Sequence, residues 1–151
     1  AAVGVVAYNG YTSSAKVAAI KNMHSKVVKF TSSELKKCSL GLELKLKTEP
    51  NRYSNDLCSD YSKATSSPGN AASFTYNFIR HFGNGERWRN VYDNSIMTDS
   101  CYKPDKKGKL CFAGVKFEGT NVVKTCFWTF SSKDRGSSSL TCVSLDLIWC
   151  I

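Results

Sequence analysis

The sequence predicts a mainly β chain: an antiparallel β-sandwich or barrel carrying one short N-terminal helix, with an α+β layout as the alternative. Three observations predict it. In the run 38–47, C-S-L-G-L-E-L-K-L-K, Leu40, Leu42, Leu44, Leu46 and Cys38 share one parity, and Gly41, Glu43, Lys45 and Lys47 share the other. In the run 74–82, Phe74, Tyr76, Phe78, Arg80 and Phe82 share one parity, with Thr75, Asn77, Ile79 and His81 on the other. The last third alternates in three further runs. Strand side chains point to opposite faces in turn, so each run reads as a strand with one dry and one wet face. Burying all four leucines of the first run would contribute roughly 6–12 kcal/mol as an upper bound.

The elements follow in chain order. Residues 1–8 read as a short buried strand and Asn9-Gly10 as a turn. From Thr12, Val17, Ile20 and His24 fit one face of a short helix, with Ser13 or Ser14 as N-cap and an end near Met23–Ser25. Residues 27–31 read as a strand, and Ser32-Ser33-Glu34 as the turn into the leucine strand. Residues 50–73, rich in Asn, Asp, Ser, Pro and Gly, read as a long loop pinned by Cys58, with a short helix over 55–64 as the alternative. The aromatic strand then turns through Gly83-Asn84-Gly85-Glu86 into a return strand over 87–92, a β-hairpin. Residues 103–108 form a basic turn. Residues 110–117, 122–130 and 141–151 read as strands, and a two-residue loop at Glu118-Gly119 would set Cys111 opposite Cys126. No linker, repeat or low-complexity segment divides the chain, so 1–151 reads as one disulfide-stabilised domain.

Composition narrows the function classes. The net charge is +9, and it is uneven. Residues 1–50 hold 8 lysines against 3 glutamates, 51–100 are balanced, and 101–151 hold 8 basic against 4 acidic groups. This favours a protein or an anionic polymer as target. Nucleic acid has no motif of its own here. No apolar run approaches the ~20 residues that span a bilayer, so no transmembrane segment is expected. The start, A-A-V-G-V-V-A-Y, lacks a signal peptide's basic n-region; it reads as a mature terminus left by cleavage or as a buried first strand.

The seven cysteines, Cys38, Cys58, Cys101, Cys111, Cys126, Cys142 and Cys150, form no C-x-x-C and no zinc spacing with His24 or His81. They read as disulfide candidates in an oxidising compartment, with no metal and no cofactor implied. An odd count leaves one thiol over. A monomer is expected, the odd cysteine giving a route to a dimer.

The chain has no nucleophile elbow, Walker loop, dinucleotide fingerprint or Ca²⁺ loop. An enzyme reading therefore rests on residue types alone. His24 or His81 with Glu86 and Arg87 would supply an acid, a base and a cation for a phosphodiester, as in a secreted basic ribonuclease. The hairpin is the better binding candidate, because aromatics interleaved with arginines recur where proteins bind partners. Asn84, Glu86, Arg87, Trp88 and Arg89 at its tip, Lys106 and Lys107 in the basic turn, and the loop 66–70 are the candidate binding residues. Trp88 or Tyr92 would serve a lectin-like carbohydrate site.

Small, basic, cysteine-bearing, β-rich and loop-rich, the chain resembles as a class the small secreted effector and toxin proteins of fungal pathogens. That resemblance implies a secreted, non-enzymatic protein of virulence that binds a host or environmental target, with disulfides giving extracellular endurance.

Overall fold

The computed structural model describes residues 2–64, 68–100, 108–117, 120–128 and 140–146. Its first element overturns the expected first third. A single helix, α1 (Ala2–Ser39), replaces the strand over 1–8, the turn at Asn9-Gly10, the short helix, the strand over 27–31 and the turn at 32–34. The cause is a buried stripe of helical period: Ile20, His24, Val27, Thr31, Glu34 and Leu35 lie at spacings of three and four, and Cys38 continues it. The β-branched valines and Gly10 favour other local structure only weakly, and burial of this stripe outweighs them.

α1 ends at a left-handed glycine. Gly41 has φ +70° with open space around it, so conformation rather than room selects glycine there. Leu42 N–H donates to the Lys37 carbonyl at 2.9 Å and Gly41 N–H to the Cys38 carbonyl at 3.3 Å, the paired bonds of a Schellman cap. Lys36 and Lys37 in the last turn complement the helix dipole.

The leucine run is thus divided between a helix end and an extended segment. Leu44 and Leu46 are fully buried, while Leu40 and Leu42 are 72% and 55% exposed. The extended backbone is held by partners from 54–57. Leu44 N–H donates to Asp56 Oδ1 and Leu46 N–H to Ser54 Oγ, while Ser54 and Leu57 N–H donate back to the Leu46 and Leu44 carbonyls. β1 (Lys47–Glu49) then pairs antiparallel with β2 (Arg52–Tyr53). The expected long loop over 50–73 becomes β2, α2 (Cys58–Ala64) and the start of α3 (Pro68–Arg80). Cys38 and Cys58 form a disulfide that ties the end of α1 to the start of α2.

The aromatic hairpin is also overturned. Residues 68–80 are helix, and His81–Gly85 add one π turn. Phe74, Phe78 and Phe82 share a parity, but four-residue spacing also marks one helical face, and they are buried there while Tyr76 is 58% exposed. Gly83 and Gly85 permit close packing rather than a hairpin turn: a Cβ on Gly83 would press on Thr98 and Ile96, and one on Gly85 on the Lys47 backbone carbonyl.

β3 (Thr98–Ser100) runs parallel to β4 (Leu110–Phe117), and β5 (Thr120–Trp128) and β6 (Leu140–Asp146) follow antiparallel, in the order β3-β4-β5-β6. β4 and β5 pair as far as Phe117↔Thr120, and Cys111 sits opposite Cys126, itself opposite Cys142, while residues 118–119 lie outside the described residues. Cys111 is disulfide-bonded. The expected strand over 141–151 is described only to Asp146, and Cys101 and Cys150 lie outside the described residues. α3 packs along β4, and α1 along β5 and β6. Phe112 of β4 stacks between Phe78 and Phe82, with ring centroids 6.2 and 6.0 Å away.

The predicted sandwich or barrel is therefore not what forms. A four-stranded sheet with helices packed on it and a separate two-stranded ribbon form instead, and among the described residues helix exceeds strand. The single short helix expected at the N-terminus is the longest element of the molecule.

Two substitutions test this packing. Gly85→Ala should lose about 1–3 kcal/mol by overpacking against β1, whereas Asn84→Ala, at an exposed neighbouring site, should stay within about 0.5 kcal/mol. Urea denaturation checks both, and equal midpoints would refute the close approach. Replacing Cys38 and Cys58 together by serine opens a link across a sequence separation of 20, and the same measurement should show a loss of about 3 kcal/mol.

Candidate functional site

The segment 80–89 leaves the π turn through strained backbone. Arg87 is a non-glycine residue at φ 54°, a conformation costing about 1–2 kcal/mol. Trp88 N–H donates to the Phe82 carbonyl at 2.9 Å, and its ring lies 4.8 Å from that of Phe82. Trp88 is therefore a half-buried wall of the core. Asn84, Glu86, Arg87 and Arg89 are exposed. Glu86 reaches Lys47 at 3.4 Å, and Arg80 reaches Glu49 at 3.5 Å. These pairs are solvated and contribute little. The expected hairpin tip is thus a π turn and the loop after it, with four of its candidate residues exposed and Trp88 half-buried.

The two histidines are not surface groups. His81 stacks on Phe30 of α1 with ring centroids 4.6 Å apart, meets Phe82 edge-on, and places Nδ1 3.2 Å from the Lys47 carbonyl. Burial holds its pKa below the ordinary 6.5, against smaller upward pulls from the Lys47 carbonyl, Glu86 and Glu34. His24 belongs to the buried stripe of α1, roughly 9 Å along the helix axis from Phe30. His81 lies beside Glu86, whose N–H donates to the His81 carbonyl at 2.7 Å, but the His81 ring is buried. Tyr92 is half-buried beneath Lys16, whose Nζ lies 5.2 Å from the ring centroid.

Of the other candidates, Lys106 and Lys107 lie outside the described residues, as do residues 66 and 67 of the loop 66–70. Pro68 opens α3, and exposed Asn70 donates to the Lys63 carbonyl at 3.2 Å. Among the described residues no group of His, Cys, Asp and Glu is placed to hold a metal ion, and no helix is long and apolar enough to cross a membrane.

Sequence reasoning missed α1 as a surface. At 38 residues it is about 57 Å long. Its packed stripe begins around Val17 and Ile20. Before that, Tyr11 is 76% exposed, and Ser13, Ser14 and Ala15 are exposed as well. No charged residue occurs between Ala2 and Ala15, whereas lysines recur from Lys16 onward. That break in charge was visible in the sequence and is the signal that could have found it.

The chain matches no protein-family model, no curated protein and no solved structure.

The buried imidazole sets an acid limit. His81 is held neutral in the folded state, so its contribution is complete above 6.5 and is lost as pH falls through its lower folded value. Asp56, whose carboxylate accepts from Leu44 and Cys58 N–H, has a lowered pKa and adds a second loss below 3.8. The melting temperature should fall from neutral pH to about pH 5 more in the wild type than in His81→Phe, which keeps the aromatic stack and cannot titrate. Equal slopes for the two proteins would show that His81 is not the group responsible.

Proposed function

We propose that this chain is a disulfide-stabilised, non-enzymatic interaction protein that works as the subunit of a helix-cored assembly. The N-terminal part of α1 packs against the same part of other copies, and the domain built around its C-terminal part faces outward. The observation that carries this reading is the two-part character of α1. From Ile20 to Cys38 it supplies one wall of its own domain; over 2–15 it is free of charge, and Tyr11, Ser13, Ser14 and Ala15 are exposed.

An uncharged helical segment of about 21 Å is poorly matched to water and well matched to other helices of its kind. Gly4, Ala7 and Gly10 at spacings of three would let such helices approach closely. The cystines at Cys38–Cys58 and at Cys111 support folding in an oxidising, extracytoplasmic setting. In this reading the exposed 84–89 loop is displayed on the outer surface, where a host or environmental target would meet it.

Val6→Glu introduces a charge into the uncharged segment. Sedimentation velocity should find the wild type associating with rising concentration and Val6→Glu monomeric, both with the same melting temperature. A monomeric wild type over the whole concentration range, or unchanged association in the variant, would refute the reading.

A further inference from the structure

Among the described residues, charge is distributed unevenly. Away from α1, Lys45 pairs with Glu43, Lys47 with Glu86, Arg52 and Arg80 with Glu49, Lys63 with Asp60, and Lys109 with Asp99, while Arg87 and Arg89 are exposed without an acid. On α1 the pattern reverses. Lys21, Lys26, Lys29 and Lys36 are exposed, and among the described residues none meets an acid. The helix's one acid, Glu34, is buried and bridges Lys37 at 2.7 Å.

The four lysines occupy about 22 Å of helix axis at 1.5 Å per residue. At 100° per residue, Lys29 and Lys36 fall nearly opposite the buried stripe, and Lys21 and Lys26 flank that line. Exposed Asn22, Ser25 and half-buried Ser32 and exposed Ser33 lie between them, all hydrogen-bonding groups of modest size. The large exposed apolar side chains of this helix and its cap, Tyr11, Leu40 and Leu42, lie beyond the two ends of the stripe.

We propose that this face of α1 binds the phosphate backbone of double-stranded DNA without reading its sequence. Ammonium groups with interspersed amide and hydroxyl donors are the chemistry that positions a protein on phosphates. A 22 Å length of duplex offers on the order of 13 phosphates to that row. The face carries no aromatic platform, so single strands gain no stacking from it. The apolar face of the same helix is spent on its own domain and is not available to lie in a lipid interface. The proposal concerns residues 21–36 and is independent of self-association through 2–15.

The test is fluorescence anisotropy of the full chain with a labelled mixed-sequence duplex of about 24 base pairs, a length exceeding the row of lysines. Four phosphate contacts predict a slope of log K against log salt near −3.6. K21Q/K26Q/K29Q/K36Q should weaken binding at least tenfold at low salt. K45Q/K63Q, which removes two ion-paired lysines, should change it less than twofold. The single variant K29Q, at an exposed site, should lower the slope by about 0.9. Equal weakening by K45Q/K63Q would reduce the effect to net charge and overturn the proposal. So would tighter binding to a single strand of the same sequence, or binding to phosphatidylglycerol vesicles with none to the duplex.

Discussion

The end of α1 is the constraint from which the rest of the molecule is laid out. Three restraints meet within a few residues of Cys38. The left-handed Gly41 closes the helix, the Cys38–Cys58 bridge joins it to α2, and Asp56 accepts hydrogen bonds from both Leu44 and Cys58. Each acts on a different link. Glycine supplies the backbone conformation, the disulfide shortens the unfolded chain's reach, and the carboxylate orders the two segments that leave the junction. Once the chain turns there, Leu44 and Leu46 fall into the core, and β1 passes close enough to the π turn that only glycine fits at position 85.

The stripe that α1 buries is not uniformly apolar, and this hid it. His24, Thr31 and Glu34 stand at positions where a core helix usually carries leucine or isoleucine. The Thr31 hydroxyl and one Glu34 carboxylate oxygen are buried without a hydrogen-bond partner. Groups in that state cost about 1–3 kcal/mol each. The helix forms despite them because Ile20, Val27, Leu35 and Phe30 supply the apolar area. Reading Asn9-Gly10 and Ser32-Ser33-Glu34 as turns, and 1–8 and 27–31 as strands, broke a continuous helix into a strand, a short helix and another strand.

What was legible in the sequence follows the same logic. Residues 110–117 and the return strand alternate strictly and are joined by two residues, so period, turn length and the Cys111–Cys126 register all point one way. The run 74–82 was ambiguous in principle, since a spacing of four satisfies both a strand parity and a helix face. Tertiary packing on Phe112 decides it. In the leucine run, Gly41 stood at a helix cap, a role that alternation alone does not reveal. Of the candidate residues at 84–89, Asn84, Glu86, Arg87 and Arg89 are exposed, while Trp88 packs against the core. The burial of His81 was not legible, because stacking on a distant element, Phe30 of α1, leaves no mark on the local sequence.

One helix therefore serves three environments along its length, and this links the two functional proposals. If copies associate through residues 2–15, the lysine faces of neighbouring subunits cannot abut. Like charges on unshielded ammonium groups repel over the Debye length of about 8 Å at physiological salt. The helices must then splay or rotate beyond residue 16 so that Lys21 to Lys36 face outward, or a polyanion must lie between them and neutralise both. Outward display multiplies the basic row once per subunit. A modest single-site affinity for a phosphate backbone would then rise through multivalency without any new contact. Assembly through the uncharged segment and binding through the charged one are, on this argument, mutually reinforcing rather than competing uses of α1.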